Sequence, residues 1–296
     1  MKKSVSLLLA GLMLCGALTG CGGNNGTAEN TDSQTAESTT GTSGAIHVVS
    51  REDGSGTRGA FVELTGVEDD NGDNTTVEAE IANRTDAVLT TVAGNEAAIG
   101  YVSLGSLNDT VKAVTVDGVE ATVDNVKSGD YTLSRPFNIA TKGEPTGVAA
   151  DFIGFIMSAD GQAIVGEDYI TVNDNAEAFT SDGSSGHITV GGSSSVSPVM
   201  EQLIEAYKAV NPNAQIDLQT SDSTSGMTGA MDGTFAIGMA SRELKDEEAA
   251  ELTGTAIALD GIAVIVNTAN TVDNLTMDQI RSIYVGETTD WADVAA

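Results

Sequence analysis

The stretch Ile46-His47-Val48-Val49-Ser50-Arg51-Glu52-Asp53-Gly54-Ser55-Gly56-Thr57-Arg58-Gly59 opens as a short apolar run and ends in a cluster of glycines and hydroxyls. It reads as a strand, a tight loop and the first turn of a helix. The same design returns in Ile188-Thr189-Val190-Gly191-Gly192-Ser193-Ser194-Ser195-Val196 and in Leu218-Gln219-Thr220-Ser221-Asp222-Ser223-Thr224-Ser225-Gly226. A helix start leaves N–H groups without partners, and the helix dipole favours negative charge there, so each loop is a ready anion site. Glycine lets the backbone approach a ligand, while serine and threonine add donors without charge. One such cluster is as readily a simple helix cap. Three in one chain, one of them carrying Arg51 and Arg58, point to an oxyanion, which a planar guanidinium grips through two N–H groups.

Outward from these loops, short apolar strands alternate with amphipathic stretches, the pattern of an α/β protein. Strands are expected at Ile46–Ser50, Ala98–Val102, Phe137–Ala140, His187–Val190, Gln215–Leu218 and Ala256–Val266. After Ser195, the residues Val196, Val199, Met200, Leu203, Ile204 and Tyr207 recur at helical spacing, with Pro198 tolerated in the first turn and Asn211-Pro212 ending the helix. Further helices are expected at Gly147–Ile164, Arg242–Leu252 and Thr276–Val285. The polar run from Thr171 to Gly186 reads as a linker or long surface loop between two structured halves.

Composition narrows the function. The chain has 296 residues, about two domains' worth, with 13 Lys plus Arg against 43 Asp plus Glu, a formal charge of −30. Such a surface repels nucleic-acid backbones and anionic headgroups, so no nucleic-acid partner is expected. A hydrophobic content of 40% supports a sizeable core, and the 34 glycines suit a fold of tight turns. Two histidines and two cysteines leave little room for histidine catalysis, zinc sites or a disulfide framework. His47 and His187 each start a strand, poor places for a general base, and there is no Gly-x-Ser-x-Gly elbow. Neither an enzyme nor a cofactor or metal is expected. Gly54-x-Gly56-x-x-Gly59 matches a dinucleotide fingerprint, but the acidic ribose ligand expected about 20 residues on is replaced by the solvated acidic loop 68–74.

Residues 1–20 have the form of a secretory signal: Lys2 and Lys3 precede an apolar run from Val5 to Leu18, too short for a stable span. The run closes at Leu18-Thr19-Gly20-Cys21, which resembles a bacterial lipobox and implies cleavage before Cys21 and its lipidation. Cys15 would leave with the peptide. Residues 21–45, without aromatic or large aliphatic side chains up to Gly44, form a flexible tether from membrane to body, with a reach of about 25 Å. The localisation implied is the extracytoplasmic face of the cell membrane, by a lipid anchor.

Six segments, SREDGSGTRGAF, AIGYVSLGSL, GGSSSVSPVMEQLIEAY, SDSTSGMTGAMDG, IGMASRELKDEE and ALDGIAVIVN, closely resemble the phosphate-binding proteins of Pst-type ABC importers. The resemblance runs from Ile46 to Val294. It implies a two-domain, type II periplasmic-binding-protein-like α/β fold with hinge strands and an interdomain cleft, and inorganic phosphate delivered to an ABC permease. Sulfate or molybdate binding, a non-transport surface or sensor role and phosphoryl hydrolysis are the other readings, the last without a metal cluster or activating base. Carried over residue by residue, the resemblance places Arg51, Ser55, Gly56 and Thr57 on the anion from one domain, with Asp53 positioning Arg51. It places Ser194, Ser195 and Ser223 on it from the other, with Thr224 beside them. Ser241 stands where other members carry a carboxylate that accepts the ligand's proton. Arg242 follows as a second cation, and Asp222, Glu243 and Asp260 are left as candidate acceptors.

The segment order departs from the family's. Reading from His187 to Ala296 and then from Ile46 to Val172 restores it, so a circular permutation is expected, with the old termini joined through 171–186. One domain, 134–266, then becomes continuous, and the other is split into 46–133 and 267–296. A truncated tandem fusion is the rival explanation.

Overall fold

The computed structural model describes residues 42–294. The expected signal peptide, the expected lipidation site Cys21 and the expected tether up to residue 41 lie outside the described residues, as does Ala296. The first half of the body runs β1 (His47–Arg51), α1 (Gly56–Thr65), the hairpin β2 (Glu68–Asp69) and β3 (Gly72–Asp73), and β4 (Glu80–Ala82). It continues with α2 (Thr85–Gly94), β5 (Ala98–Ser103), β6 (Val111–Ala113), β7 (Thr115–Val116) and α3 (Val123–Ser128). Strand β8 (Ser134–Thr141) leads into the second half: α4 (Val148–Ile156), α5 (Ala159–Asp168), β9 (Gly186–Ser193), α6 (Ser197–Val210), β10 (Ala214–Ser221), α7 (Ser223–Asp232), β11 (Ile237–Ala240) and α8 (Asp246–Ala249). The long β12 (Thr253–Asn267) returns to the first half, which ends in β13 (Asn274–Leu275), α9 (Met277–Tyr284) and α10 (Trp291–Val294).

One sheet threads both halves in the order β10-β9-β11-β8-β12-β5-β1-β4, with β6 beside β12. The middle pair carries the crossing: β12 pairs antiparallel with β8 up to Gly261, then with β5 from Ile262. A core around Phe61, Tyr101, Ile283 and Trp291 fills the first half, and one around Phe152, Met200, Leu203 and Tyr207 fills the second. Ile262, Val264 and Val266 pack in the first of these. The strand passes from the second half's core at Ile257 and Ala258 to the first half's at Ile262, so the halves divide on β12 near Asp260–Gly261, earlier than the residue 266 the sequence suggested.

Every expected strand forms, most extended by a few residues, and the apolar face of α6 is fully buried from Val199 to Tyr207. Two expected helices differ. Gly147–Ile164 is not one helix but α4 and α5, bent by 57°. Ser158 causes the break by capping α5, its hydroxyl accepting from Gly161 N–H at 3.2 Å. Only 246–249 of Arg242–Leu252 is helical, because Glu248 pulls Arg242 and the Lys245 N–H around the helix start.

Segment 171–186 lies within the second half and is packed onto α4. Asp151, buried on α4, accepts from Ser181 Oγ at 2.6 Å, Asp182 N–H at 2.9 Å, Tyr207 Oη at 2.7 Å and Asn211 Nδ2 at 3.2 Å. Phe179 packs edge-on against Phe155, 5.3 Å between ring centroids. Burial raises the Asp151 pKa, but these donors outweigh it and hold the carboxyl below its ordinary value of 3.8. The stability it adds is thus present above pH 3.8 and lost as pH falls through the lower folded value. Asp151→Ala is expected to cost about 2–4 kcal/mol in urea unfolding at pH 7, since it strands four donors at once.

The described ends meet. Ile46 N–H donates to Thr289 O at 2.8 Å, and Trp291 N–H to Gly44 O at 3.0 Å.

Candidate functional site

Four helix starts converge on the seam between the halves, α1 and α2 from the first, α6 and α7 from the second. Each follows a strand carboxyl end, where α/β sheets place their ligands. Ser55 caps α1, accepting from Arg58 N–H at 3.3 Å, and Asp222 caps α7 through Ser225 N–H at 2.8 Å. Before α6, residues Ser194 to Val196 form a turn, so helix α6 starts later than the expected Val196. Ser194 N–H is consumed by Ser221 O at 2.9 Å, and the Ser194 and Ser195 hydroxyls are what the turn presents to the seam.

Hydroxyls from the two halves meet there. Thr57 Oγ1 lies 2.9 Å from Ser195 Oγ, and Thr85 Oγ1 lies 3.2 Å from Ser194 Oγ and 3.3 Å from Ser195 Oγ. Behind them, Ser193 Oγ donates to Ser241 Oγ at 3.0 Å, and Ser241 N–H donates to Ser223 Oγ at 3.0 Å. The backbones close as tightly: Thr224 N–H donates to Gly54 O at 3.1 Å. A Cβ on Gly54 would collide with the Asp222 carboxylate, and one on Gly56 with Ser223 Oγ and Ser241 Oγ. Glycine at these two positions is what lets the halves touch. Ser55, Thr57, Thr85, Ser193, Ser194, Ser195, Ser223 and Ser241 are all buried. A cleft of about 360 Å³ lined by Thr85, Ser106, Ser194 and Thr220 leads in from solvent.

Arg51 reaches into this cluster with 2% of its side chain exposed, donating from Nη2 to Ser194 Oγ at 3.1 Å and from Nη1 to Thr85 Oγ1 at 3.4 Å. Its positioning partner is Glu52, which takes Nε and Nη2 at 2.8 Å each. Asp53 does not serve Arg51. It is 97% exposed and pairs with Arg58 at 2.8 Å, whose Nε also holds Asp73 at 2.7 Å. Neighbours on a strand point to opposite faces, but β1 ends at Arg51, and the chain turns there and brings Glu52 back onto the guanidinium.

Arg242 is likewise committed. Its guanidinium makes a two-pronged pair with Glu248, Nη1 at 2.7 Å and Nη2 at 2.8 Å, and only a 3.3 Å bond reaches Thr224 Oγ1. Arg242→Gln is therefore expected to lower the thermal midpoint while changing anion affinity less than about threefold, read by scanning calorimetry and titration side by side. Of the candidate acceptors, Asp222 is spent on its helix cap, Glu243 is exposed, and Asp260 is buried between Arg135 and Ser103. Burial pushes the Asp260 carboxyl up to about 6. Among the described residues, no three His, Cys, Asp or Glu side chains come together to hold a metal ion.

Sequence comparison gives the family. The model of a PBP superfamily domain matches residues 25–160 and 177–296. The phosphate-binding protein PstS 2 of Streptococcus agalactiae serotype V is 46% identical over 99% of this chain and 98% of its own length. That of Streptococcus pneumoniae serotype 4 is 44% identical over 98% of this chain and 99% of its own. The chain belongs to the PBP superfamily and to its phosphate-binding proteins. A crystal structure of a phosphate ABC transporter's phosphate-binding protein from Streptococcus pneumoniae TIGR4 superposes with a TM-score of 0.69 at 46% identity, over 85% of this chain and 100% of that one. Because these matches run end to end, the segment order here is shared with the streptococcal proteins.

The structure thus brings Arg51, Gly56, Thr57, Ser194, Ser195, Ser223 and Ser241 to one place, with Ser55 and Thr224 at its edge. The sequence reading missed Glu52 and Thr85. Thr85 follows a strand and opens a helix, the same signal that marked the other three loops, but without their glycines.

Proposed function

We propose that this protein captures inorganic phosphate between its two halves and delivers it to an ABC permease of the Pst type, carrying the ion without making or breaking a bond. The observation that carries the reading is the meeting of Thr57, Thr85, Ser194 and Ser195 hydroxyls from opposite halves around the buried guanidinium of Arg51. Those groups are hydrogen-bond donors of the kind an oxyanion accepts from. Bonds to a charged ligand contribute about 1.5–3 kcal/mol each, and a micromolar dissociation constant needs about 8.2 kcal/mol, so a handful suffices. The Arg51–Glu52 pair is neutral, so the site relies on aimed dipoles more than on net charge. Closure is favoured by contacts available only when both halves touch the ion.

The phosphate-binding names of the relatives support the ligand, and their transporter context supports an extracytoplasmic setting. Anchorage through a lipidated Cys21 completes the picture, together with a circular permutation whose new ends lie side by side at Gly44–Ile46 and Thr289–Trp291 and whose old ends are joined by the packed segment 171–186. One observation favours a broader oxyanion reading. Ser241, flanked by Ser193 and Ser223, is a hydroxyl that can either donate or accept, so a sulfate lone pair meets no fixed acceptor there. Titration calorimetry of the mature chain at pH 7 with phosphate, sulfate and molybdate tests both. Micromolar or tighter phosphate binding is expected, with sulfate weaker. Preference for sulfate, or no heat with phosphate, would overturn the reading.

A further inference from the structure

Where β8 and β12 cross, Arg135 stands opposite Asp260 in register. Arg135 Nη2 donates to Asp260 Oδ2 at 3.0 Å, and Asp260 Oδ1 accepts from Ser103 Oγ at 2.9 Å. The pair is shut away from water, with side-chain exposures of 2% and 0%. Yet Arg135 uses only one of its three nitrogens. Among the described residues, four buried side-chain polar atoms have no hydrogen-bond partner: Arg135 Nε, Arg135 Nη1, Ser106 Oγ and Tyr169 Oη.

These four share one neighbourhood: the Arg135 guanidinium lies over the Phe137 ring, 5.5 Å from its centroid, and that ring lies 5.3 Å from the Tyr169 ring. The Tyr169 ring lies so close to Gly105 that a Cβ there would collide with it, and Ser106 is the next residue. Ser106 lines the same cleft as Thr85 and Ser194. Burial lowers the Arg135 pKa, Asp260 opposes this, and the positive charge of Arg51 lowers it further, so the two guanidiniums feel each other. A buried guanidinium with unmade N–H bonds is costly. An oxyanion seated at the seam supplies the acceptor that the protein itself does not.

We propose that Arg135 is a second guanidinium of the anion site, its Nε–H and Nη1–H donating to the bound phosphate from the hinge side while Asp260 fixes its plane. The proposal rests on the phosphate reading and adds to it a residue on the strands that join the halves. Each guanidinium is paired with its own carboxylate, Arg51 with Glu52 and Arg135 with Asp260, so the site gains donors without gaining net charge.

The test is nuclear magnetic resonance of the mature chain with 15N-labelled arginine, titrated with inorganic phosphate, the Arg135 Nε–H signal being identified by its loss in R135K. At saturation that signal is expected to move downfield and exchange more slowly with water, together with that of Arg51. R135K, which keeps the charge beside Asp260 but not the planar fork, is expected to bind phosphate about 10- to 100-fold more weakly. Should R135K fail to fold, replacing the other arginines in turn assigns the signal by elimination. An Arg135 signal unmoved at saturation while Arg51's shifts, or R135K binding as tightly as the parent, overturns this proposal alone. If the parent takes up no phosphate, the underlying reading falls instead. A purely structural role for Arg135 would lower the ligand-free melting temperature and leave the signal still.

Discussion

Arg51→Ala is expected to weaken phosphate binding by at least 100-fold, the largest effect of any single substitution in this site. Two losses combine. The guanidinium's charge-assisted bonds to the ion disappear, at about 1.5–3 kcal/mol each. The carboxylate of Glu52, only 20% exposed and held at 2.8 Å by Arg51, is then left facing the anion with no cation between them. Repulsion is added to lost attraction, which is why the effect should exceed that of any single hydroxyl. Arg51→Lys keeps the charge but cannot serve Glu52, Ser194 and Thr85 at once, so an intermediate loss is expected. Titration calorimetry reads both. Arg51→Ala binding within tenfold of the parent would mean that the guanidinium is a structural group and not a ligand.

Gly56→Ala acts on closure. The added Cβ would meet Ser223 Oγ and Ser241 Oγ, both supplied by the opposite half. Overpacking of this kind costs about 1–3 kcal/mol, so phosphate affinity should fall about 5- to 150-fold. Gly59→Ala, one turn further along α1, is the control. Its Cβ would have nothing nearer than the Arg242 Cδ at 3.8 Å, and alanine is the better helix former, so affinity should not change. If the two variants bind alike, the halves do not press together at Gly56 when the ion is held.

What was legible in the sequence follows from how locally each feature is encoded. The loops at Arg51–Thr57, Ser193–Ser195 and Asp222–Thr224 could be read because strand, glycine, hydroxyl and helix start lie within a dozen residues of one another. Thr85 has the same logic on a three-residue strand and without glycine, and so passed as an ordinary helix start. The role proposed for Arg135 could not be read at all, because what marks it is Asp260, 125 residues away. The assignment of Asp53 to Arg51 failed for a smaller reason: which of two adjacent carboxylates meets a guanidinium depends on where the strand ends, and β1 ends one residue later than the sequence suggests. The division of β12 at Gly261 was invisible for the opposite reason, since its uninterrupted apolar run from Ile262 to Val266 serves whichever core the strand has reached.

A crystal grown with arsenate, a tetrahedral stand-in for phosphate with an anomalous signal, locates the anion directly. One arsenic peak is expected at the seam, its oxygens within hydrogen-bond reach of Arg51, Thr57, Ser195 and Ser223. A peak on an outer face, or one touched by residues of a single half, would contradict capture between the halves.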